Sequence, residues 1–208
     1  MARVFGHADI VELAQFASVP VINGLSDYAH PCQGMADFLT IFEHKGGFEG
    51  KKLVYLGDGN NVSTSLVFGA ALLGMDFTIA TPKGYELHPA VWNIGERFAA
   101  ETGAKLVATN DPMAAVVDAD VIYTDAWASM GQEAEAEKRR KVFPPYRVDA
   151  GKLADAKDDV IVMHCLPAHR GEEITDPVAD GPHSVLFDQA ENRLHAQKAI
   201  LVWALEAE

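Results

Sequence analysis

Lys52-Leu53-Val54-Tyr55-Leu56, followed at once by Gly57-Asp58-Gly59-Asn60-Asn61, decides the fold. The first five residues are a short apolar run with a β-branched and an aromatic member, which reads as a buried strand. The glycines and asparagines that follow are turn chemistry. Residues 63–73 then continue as a helix that stops at Gly74. Outward from this unit the pattern repeats. A strand over 76–80 leads through Thr81-Pro82-Lys83-Gly84 to a helix over 89–102 closed by Gly103. Strands are predicted over 105–108, 121–124, 160–164 and 184–187. Helices are predicted over 112–117, 133–142, 150–156 and 191–207. Strands alternating with helices imply right-handed crossovers, and so an α/β fold with a doubly wound parallel sheet covered on both faces. Ligands bind such sheets beyond the carboxyl ends of the strands.

Before this regular region the chain reads less uniformly. Ile10, Val11, Leu13, Ala14 and Ala17 have helical spacing, residues 19–23 read as a short buried strand, and Met35, Phe38, Leu39 and Phe42 line one face of a helix ended by Gly46-Gly47. The composition is that of an ordinary globular chain: 49% of 208 residues are hydrophobic and 23% charged. A net charge of −13 opposes binding to nucleic acid, whose phosphates would be repelled. It leaves room for a small anionic substrate held by a few aimed cations. No apolar run reaches the roughly 18 residues that span a bilayer, so no membrane association is expected. The start lacks a secretory pattern. Cys32 and Cys165 are far apart and suggest no disulfide framework. A reducing, cytoplasmic compartment is the expectation.

The residues just after each predicted strand carry the chemistry. Gly57-Asp58-Gly59 lacks the third glycine of a dinucleotide fingerprint, which argues against a nicotinamide site. Asn60 and Asn61 can offer amides to a carboxylate or serve as turn and cap. Asp125 can pair with a cationic amine, and Ser129 and Met130 can cover a ligand; the same stretch also reads as a helix start capped by Ser129. His164-Cys165-Leu166-Pro167 places a Cys at a strand end, as a nucleophile, a polar contact or an inert buried thiol. His164, Cys165 and His169 lack the paired spacing of a structural zinc site, and no metal is expected. His30-Pro31-Cys32-Gln33 sets a His and a Gln at a helix entrance, where both can hydrogen-bond a carbonyl or simply cap.

Taken together and in order, Arg3, the 20–27 stretch, His30-Pro31-Cys32-Gln33, Gly57-Asp58-Gly59-Asn60-Asn61, Asp125 with Ser129-Met130-Gly131, His164-Cys165-Leu166-Pro167 and Asp188-Gln189-Ala190-Glu191-Asn192-Arg193 resemble ornithine carbamoyltransferases. Aspartate carbamoyltransferases share the His and Gln but lack the Ser-Met-Gly loop and the His-Cys-Leu-Pro strand end. The resemblance implies transfer of a carbamoyl group from carbamoyl phosphate to the side-chain amine of ornithine, giving citrulline and phosphate, with no cofactor. It implies that Arg3, His30, Gln33, Cys165, Leu166 and Arg193 contact carbamoyl phosphate. Asn61 would hold the ornithine carboxylate and Asp125 its α-ammonium, with Ser129 and Met130 closing over it. Cys165 and the Leu166 carbonyl would position the attacking amine, so that Cys165, Arg193 and His30 carry catalysis.

The resemblance also divides the chain. Residues 1–42 match a remnant of a second α/β domain that binds carbamoyl phosphate, residues 43–190 the ornithine-binding domain, and residues 191–208 a helix packing back towards the first. The family's Ser-Thr-Arg-Thr phosphate loop has no counterpart here, so the chain reads as truncated and as slow or inactive alone. The rival reading is a non-catalytic amino-acid-binding or interaction domain of the same descent. The family forms trimers, so a homo-oligomer is expected.

Overall fold

A computed structural model of the chain describes residues 1–128 and 133–206. The first segment holds β1 (Ala2–Arg3), α1 (His7–Phe16), β2 (Asn23–Leu25) and α2 (Pro31–Lys45); β1 and β2 pair in parallel as a small separate sheet. The main sheet follows. It is built from β3 (Lys52–Leu56), β4 (Asp76–Ala80), β5 (Leu106–Thr109), β6 (Val121–Thr124) and β7 (Ile161–His164), in the order β5-β4-β3-β6-β7 and parallel throughout.

Alternation along β3 builds the two cores. Leu53 and Tyr55 join one apolar cluster, and Val54 and Leu56 the other, because successive side chains leave a strand on opposite faces. The first cluster is closed by α2, α3 (Asn61–Leu73) and α4 (Pro89–Thr102) through Phe38, Ile41, Leu66, Val67 and Val91. The second is closed by α5 (Pro112–Val116) and by α8 (Asp176–Ala179), with Leu153 of α7 (Ala150–Asp155) packed against it. Between β6 and β7 the chain also forms α6 (Ala136–Val142), and the last helix, α9 (Leu186–Glu206), runs along α2. Burial on both faces is why the strands read as continuous apolar runs. The close packing of α2 on α3 needs Gly69, where a Cβ would stand 2.0 Å from the Phe38 ring.

Some predicted elements moved. The expected strand over 184–187 is absent: Ser184 makes only an isolated bridge to Val162, and α9 begins at Leu186. Val185 and Leu186 are buried all the same, and short apolar runs do not separate buried strand from buried helix. The expected strand over 19–23 sits later, at β2, where Ala2 and Arg3 supply a partner. Pro20 has no N–H to give and Val19 is exposed. The charged helix over 133–142 starts as a 3-10 turn and becomes α6 only at Ala136. Helix α8 and the 3-10 turn Pro144–Tyr146 went unpredicted.

The strand order fixes where a ligand can sit. From β3 the chain moves outward to β4 and β5, then returns to the other side of β3 for β6 and β7. The loops after β3 and β6 therefore diverge and leave a crevice at the carboxyl end of the sheet.

Candidate active site

A cleft of about 450 Å³ occupies that crevice. Its floor is the ends of β3, β6 and β7, and its other wall is the first segment together with α9. Arg3, His30, Asn61, Asp125, Cys165, Leu166 and Arg193 all line it.

The two asparagines divide their work. Asn60 caps α3: its Oδ1 accepts from the Val62 and Ser63 amides, each at 3.0 Å, and Ser63 Oγ accepts from the Asn60 amide at 2.8 Å. That capping box turns Asn61, the first helical residue, into the cleft, where its Nδ2 donates to the Ser26 carbonyl at 2.7 Å. Gly59 makes the turn possible. A Cβ there would lie 2.4 Å from the backbone at Glu86 and Leu87, so the chain after β4 can cross only over a glycine.

Asp125 is buried at the end of β6. Its Oδ2 accepts from Asn60 Nδ2 at 2.8 Å, and its Oδ1 accepts from the Ala126 amide at 2.7 Å and from the Cys165 thiol at 3.0 Å. Burial first, and then the charges of Asp125 and Asp37, push the Cys165 thiol well above its usual range. Cys165 is thus held as a neutral hydrogen-bond donor, which counts against the nucleophile among its sequence readings. Leu166 has φ +56°, a left-handed conformation costly for a bulky side chain, and precedes a cis peptide bond to Pro167. Its amide is held at 2.8 Å by His164 Nδ1, while His164 Nε2 lies 3.1 Å from Glu173 Oε1; both residues are buried. Non-glycine residues forced into this region cluster at functional sites.

His30 occupies the N-cap position of α2, buried and with no side-chain capping bond, its amide donating to Ser65 Oγ at 2.9 Å. Burial, then the nearby Arg193 and Arg3 charges, lower its pKa to about 4, so the imidazole is neutral at pH 7. Its buried Nδ1 has no hydrogen-bond partner among the described residues. Arg193, one turn and more into α9, donates from Nη1 to Gln33 Oε1 at 2.5 Å.

The structure thus brings into one cleft Arg3, His30, Asn61, Asp125, Cys165, Leu166 and Arg193. Gln33 is buried behind Arg193 rather than lining the cleft. Ser129 and Met130 lie outside the described residues. Sequence reasoning passed over Asp37, Tyr123, Gln189 and Glu173, all buried polar groups behind the lining. Asp37 had a signal: an acidic residue inside the apolar run of α2, four positions after Gln33 and so on the same helical face. Sequence spacing also did not foresee that Asp125, His164 and Cys165 bring ligand-type atoms within 4.8 Å of one another. Here those atoms are engaged with each other and with Glu173 and the Leu166 amide.

Residues 49–204 match the family description "Aspartate/ornithine carbamoyltransferase, Asp/Orn binding domain", and residues 1–43 match "Aspartate/ornithine carbamoyltransferase, carbamoyl-P binding domain". The chain is 61% identical over 201 residues to the ornithine carbamoyltransferase of Thermococcus kodakarensis, covering 97% of this chain and 64% of that protein. It is 58% identical over 205 residues to that of Pyrococcus horikoshii, covering 99% and 65%. The solved ornithine carbamoyltransferase of Pyrococcus furiosus superposes with a TM-score of 0.96 at 57% identity, over 100% of this chain and 66% of that one. The chain spans just under two thirds of the length of these curated relatives. On the match of its larger part and on this identity, the chain belongs to the aspartate/ornithine carbamoyltransferase family.

Proposed function

We propose that this chain carries the ornithine side, and part of the carbamoyl-phosphate side, of an ornithine carbamoyltransferase reaction: carbamoyl phosphate plus ornithine gives citrulline and phosphate. One observation carries the reading. Cationic and neutral donors (Arg3, His30, Arg193) and an amino-acid-binding set (Asn61, Asp125, Cys165) line the same cleft.

In this reading the Asn61 amide takes the α-carboxylate and the Asp125 carboxylate the α-ammonium, an orientation that hands the side-chain amine to Cys165 and the Leu166 carbonyl. The amine attacks as the neutral base, so no Cys adduct forms. The neutral thiol and the Leu166 carbonyl accept hydrogen bonds from the amine N–H groups and so orient the nitrogen; as the new C–N bond forms, the C–O bond to phosphate breaks and the amine's proton leaves with the departing phosphate. Negative charge grows on the carbamoyl oxygen, where Arg193 and a ring N–H of neutral His30 are the donors. Arg3 pairs with the phosphate. Much of the acceleration is the juxtaposition of two bound reactants. Ser129 and Met130 belong to the proposed ornithine set on the resemblance alone. Gln33 acts on carbamoyl phosphate by way of Arg193.

The same reading assigns residues 1–42 to the carbamoyl-phosphate-binding domain, 43–190 to the ornithine-binding domain and 191–208 to a helix returning to the first. The packing of α9 along α2 supports that return. We extend it to a homo-oligomer, a trimer on the resemblance, in a reducing cytoplasmic compartment. Both cysteines are free, and no described helix is long and apolar enough to cross a membrane.

The test is citrulline formation from carbamoyl phosphate and ornithine by the chain alone and together with a separate polypeptide supplying the rest of the carbamoyl-phosphate domain. Turnover in either case supports the reading. Ornithine binding by calorimetry with no turnover in either case would favour an amino-acid-binding domain instead. Asp125→Ala should abolish that binding, and equally tight putrescine would contradict the roles of Asn61 and Asp125.

A further inference from the structure

Asp37 lies at the centre of α2, wholly buried, and three donors from three elements converge on its carboxylate. Gln33 Nε2 donates to Oδ1 at 2.8 Å, Gln189 Nε2 of α9 donates to the same oxygen at 2.7 Å, and the Tyr123 hydroxyl at the end of β6 donates to Oδ2 at 3.1 Å. The arrangement continues outward both ways. Gln33, with its NH2 committed to Asp37, presents its carbonyl oxygen to Arg193. Gln189, likewise committed, presents its oxygen to the His164 amide at 2.8 Å, next to Cys165.

We propose that Asp37 is a positioning residue for the transfer. Its buried carboxylate fixes the Gln33 amide, and through it the Arg193 guanidinium, and keys both to the strand ends that carry Tyr123 and Cys165. The inference rests on the proposed reading of the cleft.

The physical argument is one of hydrogen-bond direction. Above its raised pKa of about 7 Asp37 is a carboxylate, which has only acceptors, and here it meets only donors. It thereby dictates which end of each glutamine amide faces outward. If Asp37 becomes an amide, its NH2 opposes the donors already present, and the Gln33 side chain is free to turn. Turned over, Gln33 would aim its own NH2 at Arg193, and the guanidinium would keep only its hold on Gln197, whose amide oxygen, turned towards it, accepts from Nε and Nη2 at 2.8 Å each. Burying a carboxylate for packing alone would be costly, and an apolar side chain would fill the site more cheaply. The charged and titratable groups facing Asp37 are Arg193 from α9, Tyr123 from β6 and Cys165 beyond β7.

The experiment compares wild type with Asp37→Asn in the whole chain. The side-chain amide NMR signals of Gln33 and Gln189 should move while the backbone spectrum stays that of a folded protein. Under conditions where the wild-type chain forms citrulline, KM for carbamoyl phosphate should rise about tenfold, the scale of one charge-assisted hydrogen bond, with KM for ornithine within about twofold. Tyr123→Phe removes one donor and keeps the carboxylate. It should raise the pH midpoint at which the Gln33 amide signal moves, and it keeps the test alive if Asp37→Asn does not fold. Unmoved Gln33 and Gln189 signals would overturn the proposal. So would a fall in kcat alone with both KM values unchanged, the signature of lost folded protein. If wild type forms no citrulline either alone or with the complementing polypeptide while the amide signals move as expected, the reading of the cleft fails and the grip of Asp37 on Gln33 stands.

Discussion

Cys165 shows how much a single side chain depends on its neighbours. Its thiol donates to Asp125 and is pushed up by burial and by the Asp125 and Asp37 charges, so it should react sluggishly with alkylating agents. Iodoacetamide labelling at pH 8, followed by mass spectrometry, should be slower at Cys165 than at free cysteine. Asp125→Asn should speed it roughly tenfold for each pK unit that the lost negative charge returns. Labelling faster than free cysteine would mean a thiolate and reopen the nucleophile reading. On the proposed reading, Cys165→Ala should reduce turnover without abolishing it, since there the thiol only orients the amine and forms no covalent bond to it. On the same proposed reading, Arg193→Ala would remove a charged donor from the developing oxyanion and should cost on the order of a hundredfold or more in kcat.

Among the elements, α3 and the loop before it carry the most consequence for the site. Asn60 caps the helix with its oxygen and tethers Asp125 with its nitrogen, so one residue ties β3, α3 and β6 together. Asn60→Ala should destabilise the chain by about 1–2 kcal/mol in urea unfolding, from the lost cap and the lost partner of a buried carboxylate. Asn60→Asp keeps the cap but sets a second carboxylate against Asp125, so ornithine binding should suffer more than stability. Equal losses of binding and stability in the two variants would break the assignment of separate jobs to the oxygen and the nitrogen. Gly59→Ala should be worse than either for folding, because the Cβ meets backbone and not a movable side chain.

Over the whole molecule, two buried groups titrate against each other. Asp37 is raised to about 7 by burial, and His30 is lowered to about 4 by burial and by Arg193 and Arg3. The stability due to Asp37 is full below its unfolded value of 3.8 and is lost as pH rises towards 7. That due to His30 is full above its unfolded value of 6.5 and is lost as pH falls towards 4. Between these limits the two slopes oppose. Urea unfolding across that range should show that Asp37→Asn makes stability fall on acidification, relative to wild type, by on the order of 1 kcal/mol per pH unit. His30→Gln should tilt it the other way. Parallel curves for the three proteins would show that neither group is perturbed. The surface adds a second expectation at this scale. Phe5, Phe16, Phe42, Trp203 and Leu205 are all exposed, on the first segment and the end of α9. Apolar area of that extent drives association, so sedimentation of the chain alone should show dimers or larger species, and a monomer at high concentration would count against it.

The sequence by itself determined the parallel α/β sheet, because strand and helix periodicities are local and each strand buried on both faces announces itself as an apolar run. It also placed Asn61, Asp125 and Cys165, since a doubly wound sheet puts ligands just past its strands, and Asp125 and Cys165 follow strands directly while Asn61 ends the turn after β3. Local pattern alone did not separate Asn60 from Asn61, and only the resemblance singled out Asn61, because which of two adjacent amides caps and which faces the cleft depends on the helix start to within one residue. It mistook residues 184–187 for a strand, because burial of Val185 and Leu186 looks alike in either conformation. Only the tertiary structure brought Asp37 to Gln189 and Tyr123, and His164 to Glu173. These contacts join residues 152, 86 and 9 positions apart. A buried polar group has no periodic signature, and its partners are set by how elements pack, not by where they stand in the chain.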